Sequence, residues 1–355
     1  MPESTTEMLG AERAGEELDR AALQAWIDSL QLGVSAPLEI HQFHGGASNL
    51  TYLLHYPQRD LILRRPPAGH KARGAHDMLR EARLMQSLRP YYPYVPEVLG
   101  IHEEEDALGQ AYLMQRLQGI ILRKDLPGGL SLAASDARQL CCAFVDRWVE
   151  LHGIDVQASQ LSVWGKGEGY VGRQISGWSQ RYAQVHTDDV ASFAEIISWL
   201  QRELPADSAS CLIHNDYRFD NVVLASDDPS HIIGVLDWEM ATIGDPLMDL
   251  GNTLAYWVQA DDDAEWQSLR RQPTHIAGML SRQELVDYYA ERSGRTIDKL
   301  LFYSVYGLFR LAVIAQQIYY RHVQGQVAHR AYAGFGAIVN LLEKRALRML
   351  EGQLI

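Results

Sequence analysis

The spacing of apolar positions changes twice along this chain. Between residues 16 and 30, Leu18, Leu23, Trp26, Ile27 and Leu30 recur at helical spacing. From Leu38 the pattern shortens to strand-like runs: Leu38 to Phe43, Leu50 to Tyr56 and Leu61 to Arg64, separated by His-Gly-Gly-Ala-Ser-Asn at 44–49 and Pro-Gln-Arg-Asp at 57–60. A helix is expected over 77–88, with Leu79, Ala82, Leu84, Met85 and Leu88 on its apolar face. A hairpin follows, Val98 to His102 and Ala111 to Leu117, across an acidic turn. Beyond residue 118 the period is helical almost throughout, over 135–152, 170–182, 192–204, 281–292, 296–324 and 328–350. A β-rich half followed by an α-rich half predicts a two-lobed α+β plan. Its divisions are a tail and helix at 1–33, with residues 1 to about 14 expected to be disordered, a β-rich lobe at 34–117 and a mostly helical lobe at 118–355.

One stretch breaks the helical half. Residues 211–251 read CLIHNDYRFDNVVLASDDPSHIIGVLDWEMATIGDPLMDLG. Val222-Val223-Leu224 and Ile232 to Leu236 form the arms of a hairpin, so Asn221 at the start of one and Asp237 at the end of the other fall at the same end. Asp216 lies five residues before Asn221. Two carboxylates and an amide oxygen suit an oxygen-preferring cation such as Mg²⁺. Asp245-Pro246 has the form of an N-cap followed by proline at the first helical position.

The first half offers matching candidates. Gly45 and Gly46 between two strands let backbone N–H groups approach an anion, and Ser48 and Asn49 add donors. Arg64 ends a strand facing that loop, and Glu81, early in the following helix, is placed to pair with it. Each also has an ordinary structural reading: a plain hairpin turn, an exposed strand-end arginine and a solvated helix carboxylate.

Composition narrows the class. A net charge of -13 without a Lys/Arg run excludes a general nucleic-acid binder, yet a metal and a few local cations suffice for a nucleotide. Three cysteines without CxxC spacing, Cys141, Cys142 and Cys211, predict buried thiols. The polar, acidic N-terminus lacks the form of a signal peptide, and the apolar run at 300–314 is short for a membrane span and carries Arg310. A cytoplasmic protein is expected, with no membrane partner.

Together these pieces resemble the aminoglycoside phosphotransferase-like kinases, which share the protein-kinase fold. HNDYRFDN is similar to their catalytic loop, and LDW followed by GDPLMDL to their metal-binding and helix-start segment. The resemblance extends from about Leu38 to the C-terminal helices. It implies ATP and Mg²⁺ as cofactors and a small-molecule hydroxyl as acceptor. Asp216 matches the catalytic base, Asn221 and Asp237 the Mg²⁺ ligands, and Gly45, Gly46, Ser48 and Asn49 the loop over the phosphates. Glu81 matches the carboxylate that orients the phosphate-binding cation. Met114, Gln115 and Leu117 belong to the linker whose backbone bonds adenine. His214 and Asp245 match braces of the catalytic loop. Arg64 stands where the family usually has lysine, and Trp238-Glu239 follow Asp237 in place of Phe-Gly, which suits a small-molecule acceptor better than a protein.

Within that family, VLDWEMATIGDPLMDLG, HNDYRFDNVV, LRRPP and YVGRQISGWSQRY resemble the kinase-like domain associated with acyl-CoA dehydrogenases. That implies a hydroxyacyl-CoA or related hydroxy acid as acceptor, with an acyl-CoA dehydrogenase-type partner in the pathway. Arg173, Arg181, Lys166 and Arg218 are the cations available to meet it. Two alternatives stay open: an antibiotic kinase, whose polycationic substrate would want carboxylates such as Asp261 to Asp263, and a nucleotide-binding pseudokinase without turnover.

Overall fold

The computed structural model describes residues 9–35, 38–44, 49–67, 77–104, 106–326 and 330–353. In chain order the elements are β1 (Leu9–Gly10), α1 (Arg20–Ser29), β2 (Glu39–Phe43), β3 (Leu50–His55), β4 (Asp60–Arg65), α2 (Met78–Leu88), β5 (Val98–His102), β6 (Ala111–Gln115) and β7 (Ile120–Ile121). There follow α3 (Ala134–His152), α4 (Tyr170–Val185), α5 (Ala194–Arg202), β8 (Cys211–Ile213), β9 (Val222–Leu224), β10 (Ile232–Val235) and β11 (Thr242–Gly244). The remaining helices are α6 (Pro246–Ala255), α7 (Ala264–Ser268), α8 (Arg282–Ser293), α9 (Leu300–Val323) and α10 (Phe335–Leu350).

The chain divides into two compact units. The first holds the residues up to Leu122, Leu126–Ser131 and Asn221–Ala241; the second holds Arg123–Asp125, Leu132–Asp220 and the residues from Thr242 onward. The β9–β10 hairpin therefore packs with the β-rich half, and the chain crosses between units at Asp220–Asn221.

In the first unit six antiparallel strands run in the order β1-β2-β3-β4-β6-β5, and β10-β9-β7 form a second sheet. Leu23 and Ile27 of α1 bury against Tyr52, Leu54 and Tyr56 of the sheet, as their helical spacing requires. The expected disorder of residues 1 to 14 fails at Leu9–Gly10, which pair with Phe43 and Gln42. α2 starts where Asp77 accepts the Arg80 N–H, a capping bond that fixes Glu81 in the first turns.

In the second unit the crossing of α6 and α9 has a clear sequence cause. A Cβ at Gly251 would fall on the Tyr303 carbonyl, and one at Gly307 on the carbonyl of Gly251. Two glycines at the crossing let the backbones touch, and this seats α6 and α9 for the roles below. α9, at 24 residues, is long and apolar enough to cross a membrane, but 72% of its apolar window is buried within the fold. Cys141 and Cys211 are buried as expected, and burial pushes the Cys141 thiol up to about 12, whereas Cys142 is only half-buried.

Candidate active site

In the first unit the cation Arg64 is built into the sheet. It lies in β4 opposite Tyr112 of β6 in register, so its guanidinium donates to the Tyr112 hydroxyl at 3.2 Å. It also donates to Glu81 Oε1 at 2.7 Å. Its other nitrogen stands 3.5 Å from Asp237 Oδ1. The expected Arg64–Glu81 pair therefore exists, and Tyr112 joins it, a partner that sequence reasoning missed. Burial opposes the charge on Arg64, but Glu81, Tyr112, Asp237 and Glu239 more than offset it and hold the guanidinium protonated. Burial also pushes the Glu81 carboxyl up, against the pull of Arg64. Glu81 further accepts the Trp238 N–H at 3.2 Å, which ties α2 to the residue after Asp237.

Asp237 adopts φ 66°, ψ 64°, a left-handed conformation that aspartate tolerates better than most residues. The β9–β10 register brings Val235 beside Val222, and the Leu236 N–H donates to the Asn221 carbonyl at 2.8 Å. Asn221 and Asp237 thus share one end of the hairpin. Asn49 donates to Glu239 at 3.2 Å. Gly45, Gly46 and Ser48 lie outside the described residues. Met114 and Gln115 lie in β6, paired with Ile62 and Leu61 of β4. The Gln115 N–H is given to the Glu97 carbonyl at 2.8 Å, so that group is not the open donor the resemblance implies. The strand ends there, and Arg116 to Gln118 follow without a ladder.

Arg64→Lys tests the geometry of this cluster. Lysine keeps the charge but not the planar fork that reaches Glu81, Tyr112 and Asp237 together. The expected cost is about 1 kcal/mol of stability, the net worth of one lost hydrogen bond, read as a lower urea midpoint, with weaker ATP binding by titration calorimetry.

In the second unit Asp216 sits in a loop anchored by one face of α6. Asp249, Asn252 and Thr253 are spaced i, i+3, i+4 in an otherwise apolar helix, so all three face the same way. Asp249 accepts the N–H groups of His214 (3.0 Å) and Asn215 (2.7 Å). Asn252 donates to Asn215 Oδ1 at 3.1 Å, and Thr253 donates its hydroxyl to the Tyr217 carbonyl at 2.9 Å. His214 Nδ1 accepts the Asp216 N–H at 3.2 Å. His214 thus bonds within its own loop to the backbone of Asp216. Asp245 caps α6 by accepting from Leu247 and Met248 and also takes the Ser208 N–H, so the direct brace is Asp249. The signal that could have found it was the polar i, i+3, i+4 triple within LMDLGNTLA.

Asp216 accepts from Arg218 at 3.0 Å. Burial raises its carboxyl, but Arg218, Arg310 and His214 outweigh burial and hold it below the usual carboxylate range. Arg218 in turn stands 3.4 Å from Asp220 and lies over the Tyr256 ring at 4.3 Å. Of the cations expected to meet substrate, Arg218 is thus engaged with Asp216. Arg173 donates to the carbonyls of Gly167 and Glu168, and Arg181 lies over Trp178 at 4.6 Å.

The acidic patch is structural. Asp262 is ion-paired to Arg282 (2.7 Å) and Arg345 (2.8 Å), and Asp263 caps α7. Those two arginines also line a small groove with Leu254, Trp266 and Met349.

Comparison with known proteins agrees with this geometry. The model of the phosphotransferase enzyme family (APH) matches residues 39–285. Acyl-CoA dehydrogenase family member 10 of Mus musculus is 32% identical over 86% of this chain and 29% of its own length. Acyl-CoA dehydrogenase family member 11 of Homo sapiens is 30% identical over 94% of this chain and 43% of its own length. The chain thus spans less than half of each relative. A crystal structure of a candidate aminoglycoside phosphotransferase from Ralstonia eutropha superposes with a TM-score of 0.79 at 25% identity, covering 95% of this chain and 99% of that one. Aminoglycoside phosphotransferase APH(4)-Ia in ternary complex with AMP-PNP and hygromycin B shares the fold, with a TM-score of 0.58 at 18% identity over 92% of this chain and 98% of that one. The chain belongs to the phosphotransferase enzyme family, small-molecule kinases of protein-kinase-like fold that act on hydroxyl groups.

Proposed function

We propose that this kinase transfers the γ-phosphoryl group of ATP to the hydroxyl of a hydroxyacyl-CoA or a related hydroxy acid. The observation that carries the reading is Asp216, a half-buried carboxylate held ionised by Arg218 and seated by His214 and Asp249. Asp216 accepts the proton of the acceptor hydroxyl as its oxygen bonds to the γ-phosphorus. The bond from that phosphorus to the bridging oxygen breaks, and ADP leaves with the electron pair.

The donor residues fit Mg²⁺. Asn221 and Asp237 supply hard oxygen ligands, and the first unit sets three carboxylates, Glu81, Asp237 and Glu239, about one guanidinium. That excess of negative charge favours a divalent cation. Bound there, Mg²⁺ would neutralise phosphate charge. Arg64 adds a fixed positive charge for the phosphates, and Tyr112 and Glu81 hold its orientation.

The acceptor class is supported by the acyl-CoA dehydrogenase names of the relatives. An aminoglycoside acceptor loses its main sequence support, because Asp262 and Asp263 are engaged with arginines and a helix cap. The test is phosphorus NMR of the full chain with ATP and Mg²⁺. Hydroxybutyryl-CoA is expected to give a phosphomonoester signal with stoichiometric ADP. Phosphorylation of kanamycin, with hydroxyacyl-CoAs untouched, would overturn the acceptor class.

A further inference from the structure

In the loop that carries Asp216, one guanidinium stands between two carboxylates. Arg218 follows Asp216 by two residues and precedes Asp220 by two. One of its terminal nitrogens donates to Asp216 Oδ2 at 3.0 Å, and the other stands 3.4 Å from Asp220 Oδ2. The side chains of Arg218 and Asp220 are only 14% and 13% exposed. Asp220 Oδ1 is sealed from solvent and has no hydrogen-bond partner. Among the described residues, the ion pair with Arg218 is the contact that offsets the burial of Asp220. Stability is a poor account of such a group. Desolvating a carboxylate is costly, and one ion pair at 3.4 Å, with an oxygen left unsatisfied, returns little of that cost.

The frame around this pair is fixed from outside it. The Phe219 N–H donates to Gln272 Oε1 at 2.7 Å, and the Gln272 amide donates to the Tyr256 carbonyl at 3.2 Å. The Phe219 ring packs 4.4 Å from that of Phe144. Tyr256 in turn lies under the Arg218 guanidinium at 4.3 Å. Gln272 therefore ties the backbone between Arg218 and Asp220 to the ring on which Arg218 rests. All of these residues belong to the second unit. With the backbone and the ring fixed, the direction of the planar fork is set by the carboxylates at its two ends. Remove the charge of Asp220, and the fork is free to turn and to place its whole charge on Asp216.

We propose that Asp220 is a positioning residue for phosphoryl transfer. By holding one end of the Arg218 fork, it fixes the other end on Oδ2 of Asp216 and takes a share of the cation's charge. Asp216 is thereby oriented without being clamped too tightly to accept the proton of the acceptor hydroxyl. Asp220 acts through Arg218 and needs no contact with substrate or phosphate. This rests on the kinase reading above and adds the residue that sets how firmly the base is held.

The experiment is a double-mutant cycle in the full chain, with Asp220→Asn, Arg218→Met and the two combined, assayed with ATP, Mg²⁺ and hydroxybutyryl-CoA. Asp220→Asn keeps the shape and removes the charge. Its kcat is expected to fall roughly 10-fold, less than the roughly 100-fold that a 1 Å misplacement can cost. KM for ATP and for the acceptor should stay within about threefold, since neither is bound by Asp220. In the Arg218→Met background the same change should alter kcat by less than about twofold, because its route to Asp216 is gone. Arg218→Lys keeps a charge but has no fork to span both carboxylates, so it should lose kcat to a similar degree. It carries the test if Asp220→Asn folds poorly. Equal losses in both backgrounds, or a wild-type kcat in Asp220→Asn or Arg218→Lys, would overturn the proposal. So would a higher Mg²⁺ requirement in Asp220→Asn, which would place Asp220 with Asn221 at the metal. Nitrogen-15 NMR of the arginine-labelled protein gives a readout without turnover. The two terminal nitrogens of Arg218 should be resolved in the wild type, because a fork held at both ends rotates slowly, and should merge in Asp220→Asn. If they behave so while no acceptor is phosphorylated, Asp220 still holds the fork and the kinase reading alone falls. If they stay resolved in Asp220→Asn, the positioning role falls and the kinase reading stands.

Discussion

Asp216→Asn is expected to lower kcat roughly 100- to 10,000-fold, the range a positioned general base supplies, while leaving ATP affinity nearly unchanged. The asparagine keeps the size of the side chain and an oxygen facing Arg218, so folding should persist. It cannot take the proton of the acceptor hydroxyl. The pH dependence sharpens the test. Burial works against the Asp216 charge, but Arg218 first and then Arg310 and His214 pull the carboxyl below its ordinary value near 4. Asp216 is therefore ionised across the neutral range. The acid limb of the kcat profile should lie below pH 4, with a flat profile from about 5 to 7 on that side. Arg218→Met removes the nearest cation and should carry the acid limb upward. The same shift has a stability sign: a carboxyl whose pKa is depressed on folding stabilises the fold above its unfolded pKa, and this is lost as pH falls toward the folded value. A kcat for Asp216→Asn within tenfold of wild type, with intact ATP binding, would remove Asp216 from the role of base.

How much of this was readable from residues alone follows from the range over which each signal acts. α2 and α6 were expected at Asp77 and Asp245-Pro246, and both caps form, because an N-cap is decided within four residues. The β9–β10 hairpin was equally plain, and it places Asn221 and Asp237 as expected. β1 was missed because two residues, Leu9 and Gly10, are held only by pairing with Phe43 and Gln42. β7 was missed for the same reason: Ile120 and Ile121 find their partners in β9, about a hundred residues on. That pairing also explains why Asn221–Ala241 belongs with the first unit, although the linear pattern assigns it to the helical half. In the site, residues within a motif were found and residues that meet the motif from elsewhere were not. Tyr112 reaches Arg64 only through strand register, and Asp249 meets the loop around Asp216 from a helix whose polar face was not singled out. Arg218, expected at the substrate, is claimed by the neighbouring Asp216 and Asp220.

Asp249→Ala is expected to be the most destabilising single change at the site. The carboxylate is fully buried and accepts four hydrogen bonds: Trp148 Nε1 at 3.0 Å, His152 Nε2 at 3.1 Å and the backbone N–H groups of His214 and Asn215 at 3.0 and 2.7 Å. Alanine leaves these donors buried without an acceptor. At about 1–3 kcal/mol for each unsatisfied group, and with partial relaxation, the loss should reach about 5 kcal/mol. Asp249→Asn keeps one oxygen and should lose less. Burial opposes ionisation of Asp249, but His152 and then Trp148 and His214 overcome it and depress its pKa. Its contribution is therefore complete at neutral pH and lost as pH falls below about 4, where the gap between wild type and variant should narrow. Urea unfolding at pH 7 and again about one unit or more below pH 4 measures both terms. The functional consequence follows from the same bonds. Two of the four donors are backbone groups of the residues just before Asp216, so loosening them loosens the base. Because general-base catalysis depends on placement within a fraction of an ångström, kcat should fall in any Asp249 variant that stays folded, while ATP binding, which the proposed function assigns to Arg64, Asn221 and Asp237, should stay close to wild type. A stable Asp249→Ala protein with normal kcat would show that the catalytic loop holds its shape without α6.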